Sequence, residues 1–221
     1  MNKLLKLSNV NLSYNTDNNL IKVLQDVSLE VYHKDTVSIV GESGSGKTSL
    51  IMLIGGLEKA TSGKIQFKEF EISKLNEDQI SEIRRKNIGI VFQSFYLIPN
   101  YTALENVSLT LEINRISNAE QKAKDMLSRF GLGQRLNNLP SQLSGGEQQR
   151  VAIARSIVMK PQLILADEPT GNLDSENSNL ISKILFDYVN EEQASLIVAT
   201  HDDKLASQAK RKIKIKDGNI E

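Results

Sequence analysis

The chain has no cysteine, only two histidines (His33 and His201), no excess of either charge and no long apolar run. Without cysteine there are no disulfides, iron–sulfur clusters, cysteine nucleophiles or thiolate zinc sites. Two histidines leave little material for a histidine metal centre, and nothing around His33 suggests a ligand. Lysine plus arginine is 27 and aspartate plus glutamate is 27. Strong binding to a phosphate backbone needs a basic excess, so no direct nucleic-acid partner is expected. The longest apolar run, LIMLIGGL at 50–57, falls far short of the ~20 residues of a membrane-spanning helix. The opening stretch MNKLLKLSNVNLSY lacks a long apolar core and a small-residue cleavage site, so no signal peptide is expected. These absences predict a soluble protein of a reducing compartment.

What is present is ordinary globular material. With 221 residues, 39% of them hydrophobic and 24% charged, the chain can bury one core or two small lobes. Val10, Leu12 and Tyr14 alternate with polar residues, as do Val27, Leu29 and Val31, and period two predicts half-buried strands. Residues 16–19 between them carry polar turn chemistry. A third strand is predicted at 36–40 (TVSIV), a helix at 47–57, and further strands at 63–67 and 88–92.

From about 101 to 160 the pattern turns helical. Helices are predicted at 103–115 and 118–130, the second opened by a capping box of Asn118 and Gln121. Gly131 and Gly133 stop it, and Pro161 closes the region. Strands at 163–166 and 195–200 then alternate with helices at 174–189 and 202–209, and a last strand covers 211–215. Leu180, Ile181, Ile184, Leu185 and Tyr188 share one side of the longer helix. Apolar strands alternating with helices predict an α/β fold with a mostly parallel sheet, helices on both faces and the helical middle as an inserted lobe.

Three segments carry chemistry. The first is Gly41-Glu42-Ser43-Gly44-Ser45-Gly46-Lys47-Thr48, which fits G-x-x-x-x-G-K-[ST] between a predicted strand and helix. Glycines let backbone N–H groups approach phosphate oxygens, and the helix start adds partial positive charge. Lys47 would reach the β and γ phosphates and the Thr48 hydroxyl would hold Mg²⁺. The second is the apolar strand LILA, delivering Asp167 and Glu168 to the sheet's carboxyl edge. One carboxylate can bind Mg²⁺ and the other can polarise a water. The third is LSGGEQQR at 143–150. Ser144 and Glu147 form a capping box, and Gly145 and Gly146 leave N–H groups uncovered at a second anion-suited helix start. An ordinary capped helix is the plainer alternative there.

LSGGEQQR matches the signature of the ATP-binding cassette (ABC) ATPases, a motif other P-loop proteins lack, and the whole chain resembles that family in motif order. The resemblance implies a P-loop (RecA-like) core with an antiparallel β subdomain, formed by 1–93 and 161–221, and a helical signature subdomain at 94–160. It implies that Tyr14 stacks on adenine and that residues 41–48 with Ser49 hold the phosphates. Thr48, Asp167 and Gln93 (in VFQ) would serve Mg²⁺. Glu168 would be the catalytic base, aided by Lys47, Gln93 and the switch residue His201. Asp174 lies in the D-loop motif GNLD. Two copies would pack head to tail, so that Ser144, Gly145, Gly146 and Glu147 complete the partner's ATP site.

The segments SFYLIPNYTALENV (94–107), GLGQRLNNLP (131–140) and GNLD further resemble the lipoprotein-release and macrolide-export subgroup, with LolD-, MacB- and YbbA-like members. That implies a partner permease of FtsX/MacB-like type and a peripheral position on the cytoplasmic face of the membrane. An FtsE-like role in mechanical signalling and a DNA-maintenance ATPase are the alternatives. Phe92, Phe95 and Tyr96 beside Gln93 serve either as packing at the lobe junction or as the permease contact. The basic run 210–216 (KRKIKIK) is expected to be an edge strand protected by charge.

Overall fold

The computed structural model describes residues 2–16 and 19–221. Strands β1 (Lys3–Thr16) and β2 (Asn19–Tyr32) form a long antiparallel hairpin; the centre of its expected turn, Asp17 and Asn18, lies outside the described residues. With β4 (Ser62–Phe67) and β5 (Phe70–Glu71) they make an antiparallel sheet ordered β2-β1-β4-β5. The second sheet holds β3 (Thr36–Val40), β6 (Ile88–Val91), β7 (Leu163–Asp167), β8 (Ser195–Ala199), β9 (Arg211–Lys216) and β10 (Asn219–Ile220). Its order is β10-β9-β3-β8-β7-β6, parallel except for β10.

β7 and β8 are buried along their whole length, which is why they read as unbroken apolar runs rather than alternations. Their two faces feed two cores. Leu163, Leu165, Ile197 and Ala199 pack with the hairpin and α1 (Lys47–Ile54). Ile164, Ala166, Leu196 and Val198 pack with α3 (Ala103–Ile113), α4 (Ala119–Arg129), α5 (Gly145–Ile157) and α6 (Ser175–Glu192).

The structure corrects several expectations. Helix α2 (Glu77–Asn87) was not anticipated. Only Ile80 and Ile83 of its side chains are buried, too few to set a periodic signal, although Asn76 and Gln79 cap it reciprocally. Strands β5 and β10, of two residues each, were equally invisible. α1 ends at Ile54, before Gly55 and Gly56, rather than at 57. The expected box at Asn118 is absent: this residue is left-handed (φ 57°) with no side-chain cap bond, and Gln121 donates to Asp125 instead. Leu180 is 40% exposed, outside the buried stripe of α6. The helix expected at 202–209 shrinks to α7 (Asp203–Ala206). β9 is not an edge strand, because β10 pairs with Ile215 and Lys216. Its charges are matched all the same: Arg211 meets Asp35 and Lys212 meets Asp203, each at 2.7 Å.

Candidate functional site

Parallel register builds the site. Ile39, Ala199 and Asp167 stand in line on β3, β8 and β7, so the loops leaving these three strands emerge together at the sheet's carboxyl edge. After β3 comes the glycine loop. Gly46, at φ 106°, is the residue before α1 and provides no side-chain cap. A Cβ there would stand 2.8 Å from Leu24 Cδ2 and 3.0 Å from the Val23 carbonyl oxygen, so only glycine fits. At Gly41 a Cβ would lie 2.3 Å from the Ile215 carbonyl oxygen.

The Lys47 side chain is buried and folds back on its own loop. Its Nζ donates to the carbonyls of Gly41 (2.8 Å) and Glu42 (2.9 Å) and lies 3.9 Å from Glu168 Oε1. Thr48 Oγ1 donates to Asp167 Oδ1 at 3.1 Å. Burial pushes the Asp167 carboxyl above its usual range, opposed by the Thr48 hydrogen bond and the Lys47 charge. Glu168, at φ 45°, turns the chain sharply as β7 ends. Its Oε2 accepts from Thr200 Oγ1 (3.2 Å) and the His201 backbone N–H (3.3 Å) and lies 3.0 Å from His201 Nδ1.

A cavity of about 550 Å³ opens above the loop and brings Lys47, Thr48, Gln93, Glu168 and His201 together. Glu42, Ser43, Gly44, Gly46 and Ser49 also line it. Ser45 is tucked underneath, and its buried Oγ has no hydrogen-bond partner. Among the described residues no cluster of three His, Asp or Glu side chains converges on a metal position. The Thr48 hydroxyl beside the Asp167 carboxylate offers hard oxygens of the kind that suit Mg²⁺ shared with phosphate oxygens.

Other expected residues stand apart from this cavity. Tyr14, 43% exposed on β1, donates its hydroxyl to Glu58. Ser144 and Glu147 cap α5 reciprocally: Ser144 Oγ accepts from the Glu147 N–H at 3.2 Å, and Glu147 Oε2 accepts from the Ser144 N–H at 2.8 Å. Glu147 also pairs with Arg135 at 2.9 Å. Gly146 has a packing reason of its own, since a Cβ there would come within 2.1 Å of Asn177 Oδ1. Asp174 caps α6 by accepting from the Asn177 N–H at 2.8 Å, and this bond holds its carboxyl below the usual range.

Sequence reasoning missed Val23, Thr200 and Asn172. Val23 enters the cavity wall because β1 and β2 slip register between the Leu12–Leu24 and Ser13–Lys22 pairs. No local pattern marked it. Thr200, the last residue of the predicted strand and next to His201, was within reach of the motif.

A strand–glycine loop–helix with a lysine, a hydroxyl and two strand-end carboxylates defines a nucleoside-triphosphate-binding P-loop protein. The ABC transporter family profile matches residues 24–171. The lipoprotein-releasing system ATP-binding protein LolD of Wigglesworthia glossinidia brevipalpis is 41% identical over 219 residues, 98% of this chain and 96% of that protein. The macrolide export ATP-binding/permease protein MacB of Syntrophobacter fumaroxidans is 43% identical over 223 residues, 99% of this chain but 31% of its own length. Two solved structures of the cassette MJ0796 are similar. The dimeric post-hydrolysis state with ADP and Pi superposes with a TM-score of 0.92, at 40% identity over 99% of this chain and 97% of that one. A second dimeric structure gives 0.93 at the same identity and coverage. The chain belongs to the ABC transporter family, as an ATP-binding and ATP-hydrolysing cassette. No helix among the described residues is long and apolar enough to cross a membrane.

Proposed function

We propose that this chain hydrolyses MgATP as one half of an ATP-closed dimer and so drives a membrane permease of the lipoprotein-release type. The observation that carries the dimer is the position of the signature segment. Ser144 and Gly145 are exposed at the start of α5, and none of residues 144–147 lines the chain's own cavity. A second copy, related by a twofold axis, would bring its exposed helix start to this cavity. Lipoprotein release is favoured by the near full-length match to LolD.

The residues divide the work as follows. Phosphate oxygens take over Lys47 Nζ from the Gly41 and Glu42 carbonyls. Thr48, Asp167 and Gln93 would hold Mg²⁺, which would neutralise charge on the phosphate oxygens. Glu168 accepts a proton from water as the water oxygen attacks the γ-phosphorus. The bond to the bridging oxygen breaks and ADP leaves. His201 and Lys47 stabilise the charge that develops. Tyr14 stacks on adenine once its hairpin meets the base. The helical unit at 94–160 carries the signature to the partner, and the exposed Tyr96 loop beside it meets the permease on the cytoplasmic face of the membrane.

The test is Glu168→Gln. It should abolish turnover while ATP still binds, and the protein should become dimeric with ATP in light scattering. Affinity capture of that variant from native membranes should recover a permease with few spanning helices. A variant that stays monomeric with ATP sinks the dimer, and capture without any membrane protein sinks the permease.

A further inference from the structure

The Gln93 side chain has two ends of similar shape and opposite chemistry. Its oxygen can ligate a cation or accept from water, and its NH₂ group can only donate. Which end faces the cavity decides what the residue can do. Gln93 Nε2 donates to Asn172 Oδ1 at 3.2 Å, and Asn172 Nδ2 donates back to the Gln93 carbonyl at 3.3 Å. Both ends of the Asn172 amide are thus spent on Gln93. With Nε2 engaged there, Oε1 is the end left for the cavity that Gln93 lines.

The neighbouring residues keep this pairing in place. At Gly171 a Cβ would stand 2.9 Å from Gln93 Nε2 and 3.3 Å from its Cδ, so any larger residue would displace the amide. Beneath, the fully buried Gln149 of α5 donates to the carbonyls of Pro169 (2.7 Å) and Phe92 (3.3 Å). That amide bridges the backbone just before Gln93 to the Pro169 carbonyl, two residues before Gly171.

We infer that Asn172 is a positioning residue: it fixes the Gln93 amide so that its oxygen, not its nitrogen, faces the phosphate-loop cavity and the cation held there. The inference rests on the proposed role of Gln93 at the metal. Without an amide at 172 the Gln93 side chain turns freely, and the favourable orientation becomes one of several.

The test measures ATP affinity by calorimetry on the full-length Glu168→Gln protein, once with Mg²⁺ and once with EDTA. The ratio of the two affinities is the metal-dependent gain. Asn172→Ala should cut that gain about two- to tenfold, the reach of one modest hydrogen bond, and leave the affinity in EDTA unchanged. Gln93→Ala should cut it at least as much, and the double variant should lose no more than Gln93→Ala alone. Gly171→Ala should lower it by displacing the amide, with thermal melting confirming that each variant is folded. An undiminished gain in Asn172→Ala beside a lost gain in Gln93→Ala overturns the inference alone. Losses that add in the double variant also overturn it, because independent residues would not share one bond. An undiminished gain in Gln93→Ala overturns the role of Gln93 and the inference with it.

Discussion

Two helices of this protein have glycine at their first turn or just before it, and they begin in opposite ways. α1 starts at Gly46, left-handed and without any side-chain cap. Its first N–H groups are left for a ligand, and the site around them holds a folded-back lysine and an orphan hydroxyl. α5 starts at Ser144 with a complete reciprocal box, and the Asn177 side chain packs into the space left by the missing Gly146 Cβ. The first helix start is an unfinished anion site inside one chain. The second is capped and exposed at Ser144 and Gly145, and it does not line the phosphate-loop cavity. Glycine at a helix start therefore has two separate physical causes, free N–H groups or close packing, and only the neighbours tell them apart.

The largest effect should come from the unfinished site. Lys47→Ala removes the charge that replaces loop carbonyls with phosphates, and turnover should fall by about 10²-fold or more. Near wild-type turnover would mean that the loop alone suffices. Gly146→Ala should lower the melting temperature by overpacking, at a cost of about 1–3 kcal/mol. Pairing it with Asn177→Ala should recover much of that loss in thermal denaturation. If it does not, the glycine serves the ligand rather than the packing. Ser144→Ala should cost about 1 kcal/mol of stability through the lost cap. It should also weaken ATP-dependent dimerisation, which Thr102→Ala, the loss of an equivalent box at α3, should leave unchanged.

The smallest effects on stability contrast two aspartates. The Asp167 carboxyl is raised by burial, so its favourable contribution exists at low pH and is lost as pH rises through the folded-state value. Asp167→Asn should therefore raise the melting temperature at neutral pH while destroying Mg²⁺-dependent turnover. The Asp174 carboxyl is lowered by its bond to Asn177, so its contribution is present at neutral pH and fades as pH falls through the folded-state value. Asp174→Asn should lower the melting temperature at neutral pH, with the difference vanishing in acid.

Much of the core was legible because burial on both faces leaves β7 and β8 without alternation, and because Lys47, Thr48, Asp167 and Glu168 lie in short contiguous patterns. The strand and helix order around the phosphate loop followed directly. α2 was not legible, since two buried isoleucines in eleven residues make no periodic stripe. Asn118 misled because capping spacing does not set backbone dihedrals, and its left-handed φ precludes the box. The status of β9 depended on two residues of β10, which no local propensity distinguishes from a tail.

The sequence by itself determined the chemical groups and the order of the elements that carry them. Phosphate cradling, carboxylates at a strand end and helix capping depend on residues within a few positions of each other. Only the tertiary structure decided which groups meet. Thr48 reaches Asp167 across 119 positions, and Gln93 reaches Asn172 across 79. Such pairs arise from the register of parallel strands and from the packing of loops. These are long-range outcomes, to which local spacing carries no signal.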